Sequence, residues 1–492
     1  MFNNVGRISR QLFAYGTADV FVLAISFLLL PIYTRVLTPR EYGALALLLV
    51  CEAVLKIINR WGLDAAFLRY YYELADEEQR KTLAGTIAGF IIVANGALAA
   101  LLLADAAQVN RFLFDSLEFI WPYRLLILNG FISTFLFLPF TLLRIQERAA
   151  LYASLTFTQS FGTIVLRLIF VVVLRLGVFG IILADLIMTL AMLAATSRTF
   201  RTMLAWRFSP TQLRDVLTYG FPYVPNGVLT HAMGMGDRLI LGMYMPLRDV
   251  GFYLIAGSVA SLIKYFPVAF DVAWTPFAYD SLQRTDAPSL FARMATYAFT
   301  VLVLSMVVLS GLAAPLMDLM LPADYRAVAP LVPILALAMG VQTMRALPAT
   351  SLNITKKTGV YPTVTAAGAA ISIGMYMLLI PRYGMLGAAL ALLVSQILTT
   401  ALMIYLAQKA YRIPYETGRL VKVAAIGSVT YLTMILLAPG SSWAVVGVRL
   451  ALLAVFPVGL LAIRFLRPHE LADVRKFLAN LRRPAEPAVS IP

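Results

Sequence analysis

The stretch Leu83–Ala104 has the sequence LAGTIAGFIIVANGALAALLLA and contains no charged residue. A helix needs about 20 mainly apolar residues to cross the hydrocarbon core of a membrane, so this stretch predicts a transmembrane helix. The whole chain has the same character: 61% of its 492 residues are hydrophobic and 13% are charged, whereas a soluble domain carries about 25% charged residues. We therefore expect an all-α polytopic membrane protein. About 14 transmembrane helices are predicted, near residues 11–31, 41–58, 83–104, 120–143, 153–174, 178–197, 216–243, 251–275, 292–316, 329–350, 362–380, 384–405, 418–438 and 443–463.

The sequence has few of the residues from which enzymes and metalloproteins build their sites. It contains one cysteine, Cys51, and two widely separated histidines, His231 and His469. This composition excludes a disulfide framework, an iron–sulfur cluster and a cysteine-rich zinc site. The sequence contains no P-loop, zinc-protease or serine-hydrolase motif. We expect no enzymatic activity, no cofactor and no metal.

Lysine and arginine are distributed unevenly between the two sides of the predicted bundle. Lysines and arginines at the ends of spans are counted here with the adjacent loop. On that count, 28 of these residues lie in one set of loops and both tails, 7 lie in the loops on the opposite side, and five lie within spans. Positive charge accumulates on the cytoplasmic side, so the asymmetry predicts an inner (plasma) membrane protein with both termini in the cytoplasm. It also explains the net charge of +15 without a nucleic-acid partner. The basic tail is expected to lie against anionic lipid headgroups.

The two halves of the chain resemble each other at a nearly constant offset of 204 to 209 residues. The matching pairs are Tyr15-Gly16 with Tyr219-Gly220, Arg40–Gly43 with Arg248–Gly251, Leu138–Thr141 with Leu347–Thr350, and Arg175–Gly180 with Arg382–Gly387. Six predicted spans separate the copies, so the repeat is parallel, and such repeats place a transport site between the halves. We expect two parallel six-helix lobes around a central cavity. The predicted boundaries are an N-terminal lobe at 1–205, a C-terminal lobe at 206–412, two additional transmembrane helices at 413–466 and a basic cytoplasmic tail at 467–492.

Ionisable side chains inside the predicted spans are the candidates for a transport site, because a charge in the bilayer needs a cavity or a partner. Arg238 and Lys264 predict a cationic cavity for phosphate oxygens, with Arg60 at the end of span two as a further substrate-binding candidate. The carboxylates expected to balance these charges or to couple to an ion are Asp19, Asp237 and Asp271. The alternative interpretation is that Asp237 and Arg238 belong to structural ion pairs between helices.

Two further features of the spans carry structural expectations. Three other arginines are expected to extend toward the membrane surface rather than line a cavity: Arg124, Arg167 and Arg449. The segment Gly220–Gly227 places Pro222 and Pro225 inside span seven, where proline is expected to kink the helix. Such a kink suits a gating element or a static packing bend equally.

Several motifs of the chain resemble those of a known family of membrane proteins. They are Leu30–Gly43 (LPIYTRVLTPREYG), Gly62–Tyr71 (GLDAAFLRYY), Tyr219–Pro222, Asp237–Ile240 and Val250–Tyr253. With these motifs the chain is similar to the polysaccharide-transport family, the O-antigen (Wzx-type) flippase branch of the multidrug/oligosaccharidyl-lipid/polysaccharide flippase superfamily. The resemblance covers spans one to twelve.

The resemblance implies a flippase that moves a polyprenyl-pyrophosphate-linked oligosaccharide, such as an O-antigen or exopolysaccharide repeat unit, across the membrane by alternating access. It implies substrate contacts at Arg69 and Arg238, and a proton or sodium gradient that acts through Asp19, Asp237 or Asp271. Membrane lipids, and a polysaccharide polymerase and export proteins, are the further partners that it suggests.

Three other functions stay open at the level of sequence. A cation-coupled drug or metabolite antiporter of the related multidrug-extrusion family is the main alternative, although it would favour an acidic cavity. A polysaccharide polymerase or ligase would need a large external loop or domain, and the predicted outer loops are short. A scaffold of an export complex would keep its assembly role when Arg238 is replaced.

Overall fold

The computed structural model describes residues 29–205, 207–264, 284–440 and 442–465, together with residues 274, 278, 280, 281 and 467. Within these residues every regular element is helical. The α-helices are α1 Leu30–Val36, α2 Pro39–Arg60, α3 Leu63–Glu73, α4 Glu77–Ala104, α5 Ala106–Phe114, α6 Ile120–Ser133, α7 Phe137–Ile145, α8 Ala149–Leu168, α9 Gly177–Met203, α10 Pro210–Gly220, α11 Tyr223–Tyr244, α12 Leu247–Ala260, α13 Ala287–Met320, α14 Leu331–Thr343, α15 Ala346–Ile354, α16 Val360–Ala410, α17 Thr417–Leu437, α18 Trp443–Leu452 and α19 Val455–Ala462.

Nine helical stretches in the described part of the chain are long and apolar enough to cross a membrane. They are Glu77–Ala104, Ile120–Ile145, Ala149–Val173, Gly177–Met203, Ala287–Met320, Leu331–Ile354, Val360–Ala410, Thr417–Leu437 and Trp443–Ala462. Helix α16 contains two of the predicted spans, 362–380 and 384–405. Its backbone leaves the helical conformation where the second of them begins, at Gly384, with φ of 56°. The prediction of an all-helical polytopic membrane protein is confirmed, and the number of 14 spans stays a prediction. Most of span one, the second half of span eight and nearly all of the basic tail lie outside the described residues.

Three described helices fall outside this apolar set although they correspond to predicted spans two, seven and eight: α2, α11 and α12. Helix α2 carries Glu52 and Lys56, and α11 carries Asp237 and Arg238. These helices pack on one another, with α2 against both α11 and α12. Charged side chains on a membrane helix are tolerated where they face protein or a polar cavity rather than lipid.

Helices α2 and α12 cross closely at one end of the bundle, which we call the Gly43 end (residues 37–43 and 247–251). A side-chain methyl group on Gly43 would clash with the carbonyl oxygen of Leu247, and one on Gly251 would clash with the carbonyl oxygen of Pro39. The two glycines close the equivalent sequences Arg40–Gly43 and Arg248–Gly251. Each repeat copy therefore supplies one glycine to the same helix crossing.

A second close approach lies at the opposite end of α2, which we call the Gly62 end (residues 60–73 and 210–220). Trp61 and Gly62 have left-handed φ angles of 51° and 68°, which end α2 and start α3. A methyl group on Gly62 would clash with the carbonyl oxygen of Gly220. Glycine is required here by both the backbone conformation and the contact.

Predicted span seven is two helices rather than one kinked helix. Helix α10 ends at Gly220 and α11 begins at Tyr223, so the break falls at Phe221-Pro222. Pro222 has no N–H to continue the hydrogen-bond ladder of α10, which explains a complete break. Helix α10 packs on α3 and α4, and the Tyr70 hydroxyl donates to the carbonyl oxygen of Asp215 at 3.4 Å.

The helices α7 and α15 begin and end 209 residues apart. Each is followed by a residue in the left-handed conformation, Glu147 with φ of 54° and Lys356 with φ of 56°. These local structures have the spacing of the sequence repeat. The lobe boundaries at 205 and 412 stay predictions.

Candidate substrate-binding site

Asp237 lies in the protein interior on α11, with 3% of its surface exposed. The hydroxyl of Tyr253 on α12 donates a hydrogen bond to Asp237 Oδ2 at 2.7 Å, and the backbone N–H of Arg238 donates to Oδ1 at 2.9 Å. The carboxylate is thus held by a tyrosine and a backbone amide. It joins α11 to α12 through this hydrogen bond.

Arg238 and Lys264 form a cationic pair beside this carboxylate. The guanidinium of Arg238 reaches toward Gly257 of α12, and its Nε is buried without a hydrogen-bond partner in the described part of the chain. Lys264 ends the short 3₁₀ helix Ser261–Lys264 that continues α12, and the charges of Arg238 and Asp237 both act on it. Within the described residues neither cation forms an ion pair. Arg238 and Asp237 on α11 and Lys264 at the end of this 3₁₀ helix therefore form a group of two cations and one carboxylate with net positive charge.

The other predicted cations have partners of their own near the Gly62 end. Arg60 lies 3.5 Å from Asp64, and Arg69 Nε lies 2.8 Å from the carboxylate of Glu73. The Arg69 guanidinium also lies 4.7 Å from the ring centre of Tyr219. The sequence contained the signal for the Arg69–Glu73 pair, since the carboxylate follows four residues later on α3. Arg60 ends α2 and Asp64 lies in the first turn of α3, so their pair bridges the break at Trp61-Gly62. Asp19 and Asp271 lie outside the described residues.

A polar cavity of about 550 Å³ lies between α2, α6–α7, α8 and α9. Deep inside it, Arg167 makes a bidentate ion pair with Asp185, with Nε to Oδ1 at 2.9 Å and Nη2 to Oδ2 at 2.7 Å. The expectation that Arg167 extends to the membrane surface is wrong, because a carboxylate on the next span is close enough to hold it. Asp185 is an ionisable residue inside a predicted span, so the sequence did offer a partner for Arg167.

Lys56 also lines the polar cavity and lies 2.6 Å from Glu52. It precedes Lys264 by 208 residues, the offset that separates Arg40 from Arg248. The repeat therefore places a lysine at the same position of span two and span eight. Sequence reasoning did not select Lys56, although the repeat was the signal that could have found it.

A second cavity of about 480 Å³ is mostly apolar and lies between α13, α14 and α17. Apolar residues form most of its wall, and its few polar groups include Ser310 and Tyr431. It therefore offers space for hydrocarbon rather than for a charged ligand.

Part of the sequence and the fold resemble those of known proteins. Residues 32–268 match the family model described as polysaccharide biosynthesis protein. The fold is similar to that of the lipid II flippase MurJ in an inward closed conformation, with a TM-score of 0.68, 14% sequence identity, and coverage of 95% of this chain and 99% of that chain. A search of curated protein sequences gave no match.

Multidrug transporters share the same fold. A MATE family transporter of the MOP superfamily in an inward-facing conformation gives a TM-score of 0.64 at 15% identity, covering 82% of this chain and 96% of that chain. The MATE transporter VcmN of Vibrio cholerae gives a TM-score of 0.57 at 16% identity, covering 83% of this chain and 98% of that chain. The family model and the shared fold confirm the expected resemblance. The sequence identities to the solved structures are low, so those structures establish the fold and not the function.

Proposed function

We propose that this multi-pass membrane protein is a flippase that moves a polyprenyl-pyrophosphate-linked oligosaccharide across the inner (plasma) membrane by alternating access. The match of residues 32–268 to a polysaccharide biosynthesis family and the fold of a lipid II flippase support this proposal. The cargo would be an O-antigen or exopolysaccharide repeat unit, and both termini would lie in the cytoplasm.

The observation that carries the proposal is a pair of cations, Arg238 and Lys264, that have no ion-pair partner among the described residues. Arginine offers a planar set of donors for phosphate oxygens, and lysine adds a mobile point charge. Asp237 neutralises part of this charge, so an anion that enters restores the balance of the site. A pyrophosphate is the group of a lipid-linked oligosaccharide that fits this chemistry.

The contacts at both ends of α2 support alternating access. At the Gly43 end, α2 meets α12, and the Tyr325 hydroxyl donates to the carbonyl oxygen of Leu37 at 3.2 Å. At the Gly62 end, Gly62 meets Gly220. Each contact joins the predicted N-terminal lobe to the predicted C-terminal lobe, so opening one end while the other stays closed would expose the cations to one side at a time. The apolar cavity beside α17 would accept part of the polyprenyl chain.

Transport of the lipid-linked oligosaccharide in proteoliposomes tests the proposal. We expect the wild type to expose the oligosaccharide to an external sugar-modifying enzyme. Arg238→Ala or Lys264→Ala should lower the initial rate of this transport at least tenfold, because the pyrophosphate then lacks one of its two cationic partners. An imposed pH gradient should change the wild-type rate and leave that of Asp237→Asn unchanged if Asp237 couples transport to protons.

The matched control is Arg382→Ala, an exposed arginine in the described chain away from the cation pair. It should transport at the wild-type rate, and empty vesicles should show none. Wild-type rates equal to those of empty vesicles with several oligosaccharides, or an undiminished rate in both cation variants, would contradict the proposal.

A cation-coupled drug antiporter is the second candidate, and the fold similarity to multidrug MATE transporters favours it. A cationic drug would be repelled by Arg238 and Lys264. Under this function Arg238→Ala would speed the uptake of a fluorescent cationic drug, whereas under the flippase function the wild type would take up no such drug.

A further inference from the structure

The polar cavity between α2, α6–α7, α8 and α9 has no role in the binding of pyrophosphate by Arg238 and Lys264. Its wall includes Tyr152 near the start of α8 and Arg167 near the end of the same helix. Because a helix rises 1.5 Å per residue, these two residues are about 22 Å apart along the helix axis. The cavity is therefore long, and it runs from the predicted cytoplasmic end into the membrane.

The charges in this cavity largely neutralise one another. Lys56 pairs with Glu52, Arg60 with Asp64 and Arg167 with Asp185, which accounts for the three carboxylates that the described residues place in the wall. Among the described residues of the wall, Arg144 is the one further cation, and its side chain is exposed. The cavity thus carries much less free charge than its number of ionisable residues suggests.

Uncharged polar side chains supply its free hydrogen-bonding groups. Asn129 Oδ1 is buried without a partner within the described residues. Four other side chains of the wall make no hydrogen bond in that part of the chain: Thr141, Gln159, Thr163 and Thr189. A polar group without a partner at membrane depth is costly unless water or a ligand binds it. Hydroxyl and amide groups both donate and accept, so they suit a ligand that also does both.

Aromatic rings lie beside these groups toward the cytoplasmic end of the cavity. Phe140 and Tyr152 pack edge to face with ring centres 5.7 Å apart, and both line the wall. Sugars present hydroxyls around their edge and C–H groups on their faces. Amide and hydroxyl groups next to aromatic faces match both surfaces of a sugar ring.

We propose that this cavity is a saccharide-binding site for the uncharged, hydroxyl-rich sugars of the cargo. This inference rests on the proposed flippase function and adds a second site to it. The glycan occupies the polar cavity of residues 52–189, while the pyrophosphate occupies the cation pair on α11 and the 3₁₀ helix after α12. The three ion pairs leave exposed Arg144 as the one unpaired charge of the described wall, so uncharged hydroxyls are the groups that most of the wall suits.

Binding of lipid-free oligosaccharides to the full-length protein in nanodiscs tests the site. The probes are neutral malto-, cello- and galacto-oligosaccharides, a hexuronate oligomer and inorganic pyrophosphate, each measured by titration calorimetry. We expect at least one neutral oligosaccharide to bind more tightly than the hexuronate oligomer. Gln159→Leu combined with Thr163→Val should weaken its binding about tenfold, because two hydrogen bonds are lost.

The control variant is Gln108→Leu, the same change on the exposed surface of α5, which should bind the sugar like the wild type. Gln159→Asn with Thr163→Ser, which keeps the polar groups, should retain most of the binding and exclude a folding defect. Absence of neutral-sugar binding to the wild type, or binding unchanged in Gln159→Leu with Thr163→Val, would overturn the proposal and identify a water-filled vestibule.

The outcomes also separate this inference from the flippase proposal. Arg238→Ala should abolish pyrophosphate binding and leave oligosaccharide binding intact. Transport without any neutral-sugar binding would reject the saccharide site alone. The wild type could instead bind sugar, and lose that binding in Gln159→Leu with Thr163→Val, while it neither transports the cargo nor binds pyrophosphate. That result would reject the flippase proposal alone.

Discussion

At the scale of the residue, Arg449 shows how a charge in an apolar helix becomes structural. Only 5% of its surface is exposed. Its guanidinium donates to the carbonyl oxygens of Gly311 at 2.6 Å, Ala438 at 2.9 and 3.1 Å, and Gly440 at 3.3 Å. The expectation that Arg449 extends to the membrane surface is wrong, because the carbonyls at the end of α17 lack partners in their own helix and accept these bonds.

We expect Arg449→Met to lower the free energy of unfolding by about 3 kcal/mol, because it leaves buried carbonyl oxygens without donors. The measurement is the melting temperature in detergent, with Arg382→Met as the control at an exposed position. Transport per folded molecule should stay near that of the wild type. Equal melting temperatures for Arg449→Met and the control would show that these hydrogen bonds contribute nothing.

At the scale of the element, the crossing of α2 and α12 depends on one glycine from each repeat copy. Backbone carbonyls, rather than flexible side chains, occupy the space that a methyl group on Gly43 or Gly251 would need. The two helices therefore have to separate if either glycine gains a side chain. This crossing closes the Gly43 end, where Leu37 is 3% exposed.

Gly43→Ala should open the Gly43 end. In a Cys51→Ser background with Leu37→Cys, we expect a membrane-impermeant maleimide to label residue 37 several-fold faster when Gly43→Ala is added. Gly374→Ala is the matched control, since nothing lies within 4 Å of a methyl group at that position. Equal labelling rates for the two alanine variants would contradict a closure that depends on Gly43.

At the scale of the whole molecule, contacts between distant parts of the sequence join the two predicted lobes. Leu37 and Tyr325 meet at the Gly43 end, although 288 residues separate them. By contrast, Arg40 and Glu118 form an ion pair at 2.9 Å within the predicted N-terminal lobe. Movement of one lobe relative to the other would break the first contact and preserve the second.

Cross-linking tests this difference in the Cys51→Ser background. We expect a short bismaleimide that joins Leu37→Cys to Tyr325→Cys to stop lipid-linked oligosaccharide transport, because the lobes are then tied at one end. The same reagent on Arg40→Cys with Glu118→Cys should leave most of the transport, since both residues belong to one lobe. Full transport with the first pair cross-linked would contradict lobe movement at this end.

Properties that depend on neighbouring residues were readable from the sequence. Runs such as Leu83–Ala104 predict membrane helices because hydrophobicity is a local property, and the offset of the repeat relates Gly43 to Gly251 and Lys56 to Lys264. Even the pair of Arg69 with Glu73 follows from helical spacing on α3. At Pro222 the sequence predicted a kink, and the structure has a complete break. The packing of α10 on α3 and α4 joins segments far apart in the chain, and such contacts cannot be read from neighbouring residues.

Only the tertiary structure decided which charges have partners. Arg167 finds Asp185 on another helix, and Arg449 finds carbonyls of α13 and of the α17–α18 connection. Asp237 bonds to Tyr253, which leaves Arg238 and Lys264 without an ion-pair partner among the described residues. The physical reason is that in the membrane interior a charge is stabilised by whichever group the packing of helices places within a few ångströms, and linear spacing does not encode that choice across helices.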